Sequence, residues 1–333
     1  MKLDQGSLLS THRVLLLLFS AIVAAAALGG CGMRQSAEGT FDKTLSVQGP
    51  LRLELYNGSG DSRVIVGGSG QVEIHGEAEV KDWSESSSRA HLRQLQSQPP
   101  IKQEGGIVRV GLPGDISGGS SVDYTITVPA NTEFKGVTAD GGLSVTGLQG
   151  AVTVQTGSGD VTIAQIGGDV RVNSGSGDLS ISDVAGQLQA NSGSGDVTLA
   201  YPKGEVRIET GDGDVQITRP GDAVTVQTGD GDVEISDANP DLSIHTSSGQ
   251  ITISGAPRSG AYWELHAVSG DITLNIPPSS SFQLYAHSVS GDIDTQIPIM
   301  MEGTTSSHEL RARVGDGAAH VEAATTSGSI TLR

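Results

Sequence analysis

A turn motif that returns every 18 residues constrains this chain more than any other feature of its sequence. The last glycine of a Gly-x-Gly-Asp-like turn recurs at that step six times in succession. A weaker turn falls midway, as in the GGDV segment at 167–170, so each coil of the repeat contains two nine-residue halves. The turn glycines are Gly159, Gly177, Gly195, Gly213, Gly231 and Gly249.

Short segments in which apolar and polar residues alternate connect these turns, as in VTI and LSI. Such alternation is typical of a β-strand with one buried face. A strand that buries two aliphatic side chains is not stable alone, but stacked coils bury a continuous stripe. The pattern therefore predicts an all-β chain, a parallel β-solenoid with two facing sheets and coils about 4.8 Å apart. The predicted buried pairs are Val161/Ile163, Leu179/Ile181, Val197/Leu199, Val215/Ile217, Val233/Ile235 and Ile251/Ile253 on one sheet, and Val170/Val172, Leu188/Ala190, Val206/Ile208, Val224/Val226 and Leu242/Ile244 on the other.

The turn residues have a predicted role at the corners of the coils. Glycine supplies the positive φ that a sharp corner needs, and the aspartate beside it accepts hydrogen bonds from turn amides. Two folds with related periods fit less well. A triangular left-handed helix needs a six-residue period, whereas stepping by six from Val161 reaches Gly167 and Asn173. A calcium β-roll repeats GGxGxDxUx, whereas here the aspartate directly follows the second glycine.

The array is predicted to form one domain, residues 51–333. The chain contains 47 glycines and only 3 % aromatic residues, which favours thin layers of Val, Ile and Leu over a conventional globular core. Near the C-terminus the step grows to 21, at Gly270 and Gly291, which predicts longer coils there. Residues 306–333 are expected to cap the array.

A short helical insertion is predicted where the strand pattern breaks, over residues 82–98. The segment DWSESSSRAHLRQLQSQPP has helical spacing and stops at Pro99-Pro100. Its apolar set is thin, so we expect the insertion to pack through Trp83.

The first 30 residues have the layout of a secretory signal. Lys2 and Arg13 precede the apolar run VLLLLFSAIVAAAALGG, which ends in small residues. The segment Leu28-Gly29-Gly30-Cys31 resembles the bacterial lipobox, and this resemblance implies removal of residues 1–30 and lipidation of Cys31, the only cysteine. Several acyl chains would anchor the protein stably, with residues 31–50 as lipidated cysteine and polar tether. An ordinary signal peptide with an unrelated cysteine, or an uncleaved anchor helix, stays open.

The charge of the chain, −18, argues against nucleic acid as a partner because phosphate binding needs a basic surface. The acidic side chains either keep the protein soluble or bind cations. Stacking would place acidic side chains in a column along one edge, where they could attract Ca²⁺. In the other interpretation each aspartate caps its own turn and salt screens the repulsion. The column consists of Asp160, Asp178, Asp196, Asp214 and Asp232, with Asp212 and Asp230 beside it.

A second column ends in His245, His266 and His287, each four residues before a turn glycine. Stacked imidazoles could bind zinc or copper, or make that end sensitive to pH. In the other interpretation these histidines are exposed members of a ladder that contains Gln and Asn. No carboxylate is clearly placed by the sequence to orient the rings.

Catalytic motifs are missing from the sequence: it contains no nucleophile elbow, P-loop or zinc-protease motif. We therefore expect a protein that is not an enzyme. A polysaccharide-modifying enzyme on a β-helix stays an alternative, although the aromatic residues that could stack on sugars are scattered along the chain. They are Trp83, Tyr201, Tyr262, Trp263 and Tyr285, of which Trp263 aligns with the apolar wall.

The order of the motifs resembles the bacterial putative-adhesin domain, a family of unknown function. The segments are LYNGSGD, VDYTITVPANTEFKGVTADGGLSVTG, the SGSGDVTI coils, SFQLYAHSVSGDID and VGDGAAHVEAATTSGSITL. The resemblance covers about residues 45–333 and implies a right-handed β-solenoid on an exported or membrane-anchored protein. It implies no catalytic residues.

Together these features predict a lipid-anchored protein of the bacterial cell envelope that acts as an adhesin-like binding module or structural scaffold. The expected partners are the membrane, through Cys31, and an envelope polysaccharide or protein. By the sorting rule of the lipoproteins that this box resembles, Gly32 after the cysteine implies the outer membrane in a cell with two membranes. A cation-dependent module for envelope stress or signalling is the other alternative, and Ca²⁺ is the one cofactor considered.

Overall fold

The computed structural model describes residues 35–68, 70–111, 120–301 and 306–333. The predicted signal segment and Cys31 lie outside the described residues. Alternating aliphatic and polar side chains form two long sheets that face each other, one of 14 strands (sheet A) and one of 15 strands (sheet B). Among the described residues no helix is long and apolar enough to cross a membrane.

Strands in the N-terminal part surround one short helix. In chain order these elements are β1 (Gln35–Ser46), β2 (Leu51–Asn57), β3 (Ser62–Val66), β4 (Gln71–Asp82), α1 (Glu85–Ser97), β5 (Ile101–Glu104), β6 (Ile107–Val110) and β7 (Ser120–Val128).

The regular coils follow, and each contributes one strand to sheet B and the next strand to sheet A. These strands are β8 (Thr132–Thr138), β9 (Leu143–Thr146), β10 (Val152–Thr156), β11 (Val161–Ile166), β12 (Val170–Ser174), β13 (Leu179–Val184), β14 (Leu188–Ser192), β15 (Val197–Ala200), β16 (Val206–Thr210), β17 (Val215–Thr218), β18 (Val224–Thr228), β19 (Val233–Ala238), β20 (Leu242–Thr246) and β21 (Ile251–Gly255).

The C-terminal part completes both sheets. Its strands are β22 (Tyr262–Ala267), β23 (Ile272–Asn275), β24 (Phe282–Ser288), β25 (Ile293–Thr295), β26 (Met300–Met301), β27 (Glu309–Val314), β28 (Ala319–Thr325) and β29 (Ile330–Leu332).

Neighbouring regular coils pair in parallel and in register, as the 18-residue step predicts. Val161 lies opposite Leu179, and Leu179 lies opposite Val197. The predicted β-solenoid with two facing sheets is therefore confirmed, and so is the burial of every predicted aliphatic pair. Each Val, Leu or Ile side chain among them stabilises the fold by roughly 1.5–3 kcal/mol through its removal from water. One buried column was not predicted: it closes one edge of the core and consists of Leu148, Ile166, Val184, Pro202, Pro220 and Ala238.

The turn glycines are needed for close approach between coils, and the prediction that they supply positive φ is wrong. None of the six lies in the left-handed region. Instead, a Cβ atom built on Gly195 would lie 2.1 Å from the carbonyl oxygen of Gly177 in the preceding coil. Positive φ occurs at the opposite edge, where residues other than glycine adopt it at the same 18-residue step. These residues are Gln165, Asp183, Tyr201, Arg219 and Asp237, with φ between 52 and 58°.

The N-terminal end of the solenoid is covered by a hairpin. Strand β1 pairs with β4 along its whole length, and β4 pairs antiparallel with β7. Residues 35–46, predicted as part of a polar tether, are therefore a strand. Phe41 is buried over Gly76, where a Cβ atom would lie 2.2 Å from the ring, and its ring makes an edge contact with Tyr124 at 6.2 Å. The packing of the Phe41 ring on Gly76 holds this strand against the sheet. The mostly polar sequence of residues 35–46 does not predict that contact.

The predicted helical insertion is present as α1 and lies on this hairpin. Ser84 caps its N-terminus by accepting a hydrogen bond from the Ser87 amide at 3.2 Å. The helix packs through Leu92, which contacts the position of Gly39 in β1. The expectation that Trp83 anchors the insertion is wrong, because its side chain is 80 % exposed.

Chain order and spatial order differ at both ends of the array. At the N-terminal end, β2 lies between β6 and β8, so the coil of β6 and β7 stacks outside the earlier coil of β2 and β3. At the C-terminal end, β28 lies between β22 and β24, and β29 lies between β23 and β25. The last coil of the sequence is therefore the second last in space.

This order shows that the prediction of a C-terminal cap formed by residues 306–333 is wrong for most of that segment. Only β27, which pairs antiparallel with β24, and β26 beyond it cover the end of sheet B. Residues 319–332 form an interior coil instead. The strands β24 and β28 carry the same alternating pattern, so the local sequence does not decide which of them stacks on β22.

We expect Gly195→Ala to lower the free energy of unfolding by roughly 1–3 kcal/mol, because the added carbon would overlap the Gly177 carbonyl oxygen. Thermal unfolding followed by circular dichroism would measure the change. Ser194→Ala, at an exposed position of the same turn, is the matched control. Equal melting temperatures for the two variants would contradict the close-approach explanation.

Candidate ligand-binding face and metal centre

The predicted aspartate column exists and forms a hydrogen-bonded ladder. The Asp160 Oδ1 atom accepts from the Asp178 amide at 3.0 Å, and the same contact recurs from coil to coil. It continues from Asp178 to Asp196 at 3.0 Å, from Asp196 to Asp214 at 2.9 Å, from Asp214 to Asp232 at 2.8 Å and from Asp232 to the Gln250 amide at 2.7 Å.

The ladder follows spatial order rather than chain order. Asp123 accepts from the Asp61 amide at 2.8 Å, and Asp271 accepts from the Ser329 amide at 2.7 Å, at the two ends where coil order is inverted. The interpretation that each aspartate caps its own turn is therefore wrong, because each carboxylate binds the turn of the following coil. This contact fastens neighbouring coils together at one edge. Calcium binding by the column stays a prediction.

A chemically richer surface covers the outward side of sheet B near its C-terminal end. We call this surface the C-terminal face and define it by the outward side chains of β20, β22, β28, β24 and β27. In register across these strands, Tyr262 lies opposite His320, and Glu264 lies opposite Glu322. Tyr285 lies between Glu322 and Arg311.

A shallow pocket of about 190 Å³ lies between two tyrosines on this face. The Tyr262 hydroxyl donates a hydrogen bond to Glu322 Oε2 at 2.9 Å, and this bond raises the pKa of the Tyr262 phenol. The Arg311 guanidinium lies over the Tyr285 ring, 5.1 Å from its centroid. The residues that line the pocket include Tyr262, Gln283, Tyr285, Arg311, His320 and Glu322.

The aromatic residues considered for sugar stacking are far apart in the sequence, but two of them line one pocket in the structure. Tyr262 and Tyr285 are on strands that only β28 separates, and both line this pocket together with His320 and Glu322 of that strand. Trp263 is buried, as predicted, and its Nε1 donates to the Pro240 carbonyl at 2.7 Å. Tyr201 lies at the opposite edge of the coils, under the Arg219 guanidinium.

The three predicted histidines are only partly brought together. The rings of His245 and His266 stack at 5.1 Å with 26° between their planes. His287 does not neighbour His266, because Ala324 of the inserted strand β28 lies between them. The 21-residue step had predicted direct stacking, and that expectation is wrong for this pair.

A carboxylate that the sequence analysis missed completes a cluster with the first two histidines. Glu264 precedes His266 by two residues, so both side chains are on the same side of β22. Its Oε1 atom lies 3.3 Å from the His266 Nε2 atom. The ligand atoms of His245, Glu264 and His266 all lie within 4.8 Å of one another, and this is the one such cluster found in the described part of the chain. The spacing of two residues between Glu264 and His266, in the segment ELH, could have predicted that both side chains lie on one side of the strand.

A groove of about 540 Å³ runs beside this cluster. His245, His266 and His287 all contribute to its wall, and the small side chain of Ala324 forms its floor between two of them. At its rim Val268 and Val289 are more than half exposed.

The outward sides of the regular coils have fewer aromatic side chains than the C-terminal face. On sheet A the outward positions are mainly hydroxyl residues, such as Thr162, Ser180 and Thr198. On sheet B the predicted amide ladder is present where the Asn191 amide donates to Asn173 Oδ1 at 2.8 Å. Charged side chains are also present on these coils, where Arg207 pairs with Glu209 at 2.6 Å. The C-terminal face differs in having two tyrosines beside its charged groups.

Comparisons with known proteins point to one family. The family model for Toastrack DUF4097 matches residues 52–333. A crystal structure of a putative cell adhesion protein from Clostridium sporogenes ATCC 15579 is 12 % identical, with a TM-score of 0.22, over 89 % of this chain and 99 % of that chain. A crystal structure of a putative adhesin from Bacteroides fragilis NCTC 9343 is 14 % identical, with a TM-score of 0.38, over 72 % of this chain and 97 % of that chain. No curated protein matches the chain.

We expect Asp196→Ala to lower the free energy of unfolding by about 1 kcal/mol, because the Asp214 amide would lose its acceptor. Asp212→Ala is the control, since this carboxylate is on the same edge but outside the ladder. Chemical denaturation would measure both. A melting temperature that is higher in calcium than in chelator would show that the column also binds this cation.

Proposed function

The chain belongs to the Toastrack DUF4097 family, and from this premise we propose that it is a lipid-anchored, adhesin-like protein of the bacterial cell envelope that binds an envelope polysaccharide through its C-terminal face. The family assignment confirms the resemblance to the putative-adhesin domain that the motifs indicated. The observation that carries the proposal is the concentration of tyrosine, carboxylate and guanidinium groups around one pocket.

The chemistry of this pocket suits a polar ligand with apolar ring faces. Tyrosine side chains offer a flat apolar body and a polar tip. Glu322 accepts hydrogen bonds and Arg311 donates them, which matches the alternating hydroxyl groups of a sugar. Glu322 is already held by Tyr262, so the pocket is partly organised before a ligand binds. Saccharide binding needs such concave sites with a few placed polar groups.

The stacked coils support a role in presentation rather than catalysis. Coils that contact only their neighbours form an extended array, and its caps cover the ends. The pocket is shallow and open, and its polar groups pair with one another across adjacent strands. A binding role therefore accounts for the face without a chemical step.

The lipid anchor is part of the proposal and depends on the sequence alone. Cys31 directly follows the small residues that end the apolar run, and it precedes β1 by only four positions. The anchor would therefore hold the N-terminal hairpin near the membrane. The C-terminal face is at the far end of the coil stack from that hairpin. This arrangement would present the tyrosine pocket away from the membrane.

We expect the double variant Tyr262→Ala/Tyr285→Ala to bind envelope polysaccharide at least about tenfold more weakly, on the order of 1.4 kcal/mol, because both aromatic contacts are lost. The full chain in mild detergent would be tested on a glycan array and against isolated envelope polymer. Tyr201→Ala, an equally exposed tyrosine at the opposite edge, is the matched control. Equal binding by all three proteins would contradict the assigned face, and release of shortened polymer would identify an enzyme.

We expect Cys31→Ser to abolish incorporation of labelled fatty acid and to remove the chain from the membrane fraction, because the serine hydroxyl cannot replace the thiol in lipidation. Ser36→Ala, a few residues later, is the control and should fractionate as the unaltered protein does. Retention of the Cys31→Ser variant in the membrane would instead favour an uncleaved anchor helix.

A further inference from the structure

We propose that His245, Glu264 and His266 form a binding site for one divalent transition-metal ion of the zinc class. The observation is a cluster of two imidazoles and one carboxylate whose ligand atoms lie within 4.8 Å of one another. The polysaccharide pocket uses other side chains, so the metal site and the proposed function can fail independently.

The geometry of the solenoid creates this cluster. Parallel pairing places His245 of β20 directly beside His266 of β22. Glu264 is on the same side of β22, two residues before His266, and lies beside Ser243 in the neighbouring strand. A small neighbour there leaves the carboxylate free to turn toward the imidazoles. Three potential ligands are thus held on two rigid, hydrogen-bonded strands.

The distances are close to those of a bound ion. Zinc bonds of about 2.0–2.1 Å in a tetrahedron bring ligand atoms to about 3.4 Å from one another. The Glu264 Oε1 and His266 Nε2 atoms are already 3.3 Å apart. His245 is exposed and Glu264 and His266 are half-buried, so small side-chain rotations can bring in the third ligand.

The ligand types select the metal class. Imidazole suits zinc, copper, iron and nickel, whereas calcium and magnesium prefer oxygen ligands. Three protein ligands leave a fourth position for water or for an atom of a bound molecule. The groove beside the cluster is where such a molecule would lie.

His287 is excluded from the ligand set by the position of β28. One intervening strand separates it from His266, and two strand spacings amount to about 9.6 Å. In the structure the ring nitrogens of His287 are not among the ligand atoms that lie within 4.8 Å of one another. This distinguishes the proposed site from a column of three stacked histidines.

Isothermal titration of the full chain in mild detergent with zinc chloride tests the proposal. We expect one zinc ion per chain, no displacement of that ion by calcium at the same concentration, and affinity at least about tenfold lower for His266→Ala and for His245→Ala. His287→Ala and His320→Ala, two histidines of the same face, should bind as the unaltered chain does. Circular dichroism would verify that each variant is folded.

Cobalt provides a second readout that does not depend on affinity alone. A tetrahedral cobalt ion absorbs visible light, and we expect this band in the unaltered chain, in His287→Ala and in His320→Ala, but not in His266→Ala. The absence of zinc binding would overturn the proposal, as would equal binding by the double variant His245→Ala/His266→Ala. Loss of binding in His287→Ala would overturn the assigned ligand set.

Discussion

The close stacking of one turn on the next is the contact on which the rest of this protein depends. At each strong corner a glycine lies under the carbonyl oxygen of the preceding coil, with no room for a Cβ atom. The adjacent aspartate binds the amide of the following coil, so the corner is fastened in both directions. With the corners held at strand spacing, the walls pair in register and the aliphatic side chains form continuous buried columns. The core is thin, and stability accumulates coil by coil through these nearest-neighbour contacts.

The opposite edge is built differently. There a residue with a side chain, such as Gln165 or Arg219, adopts positive φ in five successive coils, and the residue after it enters the core. That conformation costs of order 1–3 kcal/mol for a residue other than glycine. The buried column that follows, for example Ile166 and Val184, offsets the cost by closing the edge of the core. The two edges therefore solve the same geometric problem with different chemistry, and only the aspartate edge is visible as a sequence motif.

The inversions of coil order at the two ends explain where function can arise in a repetitive fold. Regular coils place equivalent residues beside one another and so produce ladders of one chemical type. Insertion of β28 between β22 and β24 breaks this repetition. It brings Glu322 and His320 between Tyr262 and Tyr285, and it separates His266 from His287 with Ala324. A face with mixed chemistry results, next to the groove that Ala324 lines between the two histidines.

The sequence by itself determined the solenoid, its two sheets, its register through the regular coils and the position of the helical insertion, because these depend on contacts that recur at a constant step. It also placed the aspartate and histidine columns in the correct alignment as far as His266. Tertiary structure alone decided the docking of β1, the order of the end coils, the residue on the other side of His266 and the partner of Tyr262. The physical reason is that β24 and β28 carry equivalent alternating patterns, so their order depends on how the whole chain end packs. The candidate metal cluster shows both contributions: register predicted the pair His245 and His266, whereas the approach of Glu264 depends on the rotation of side chains in the folded protein.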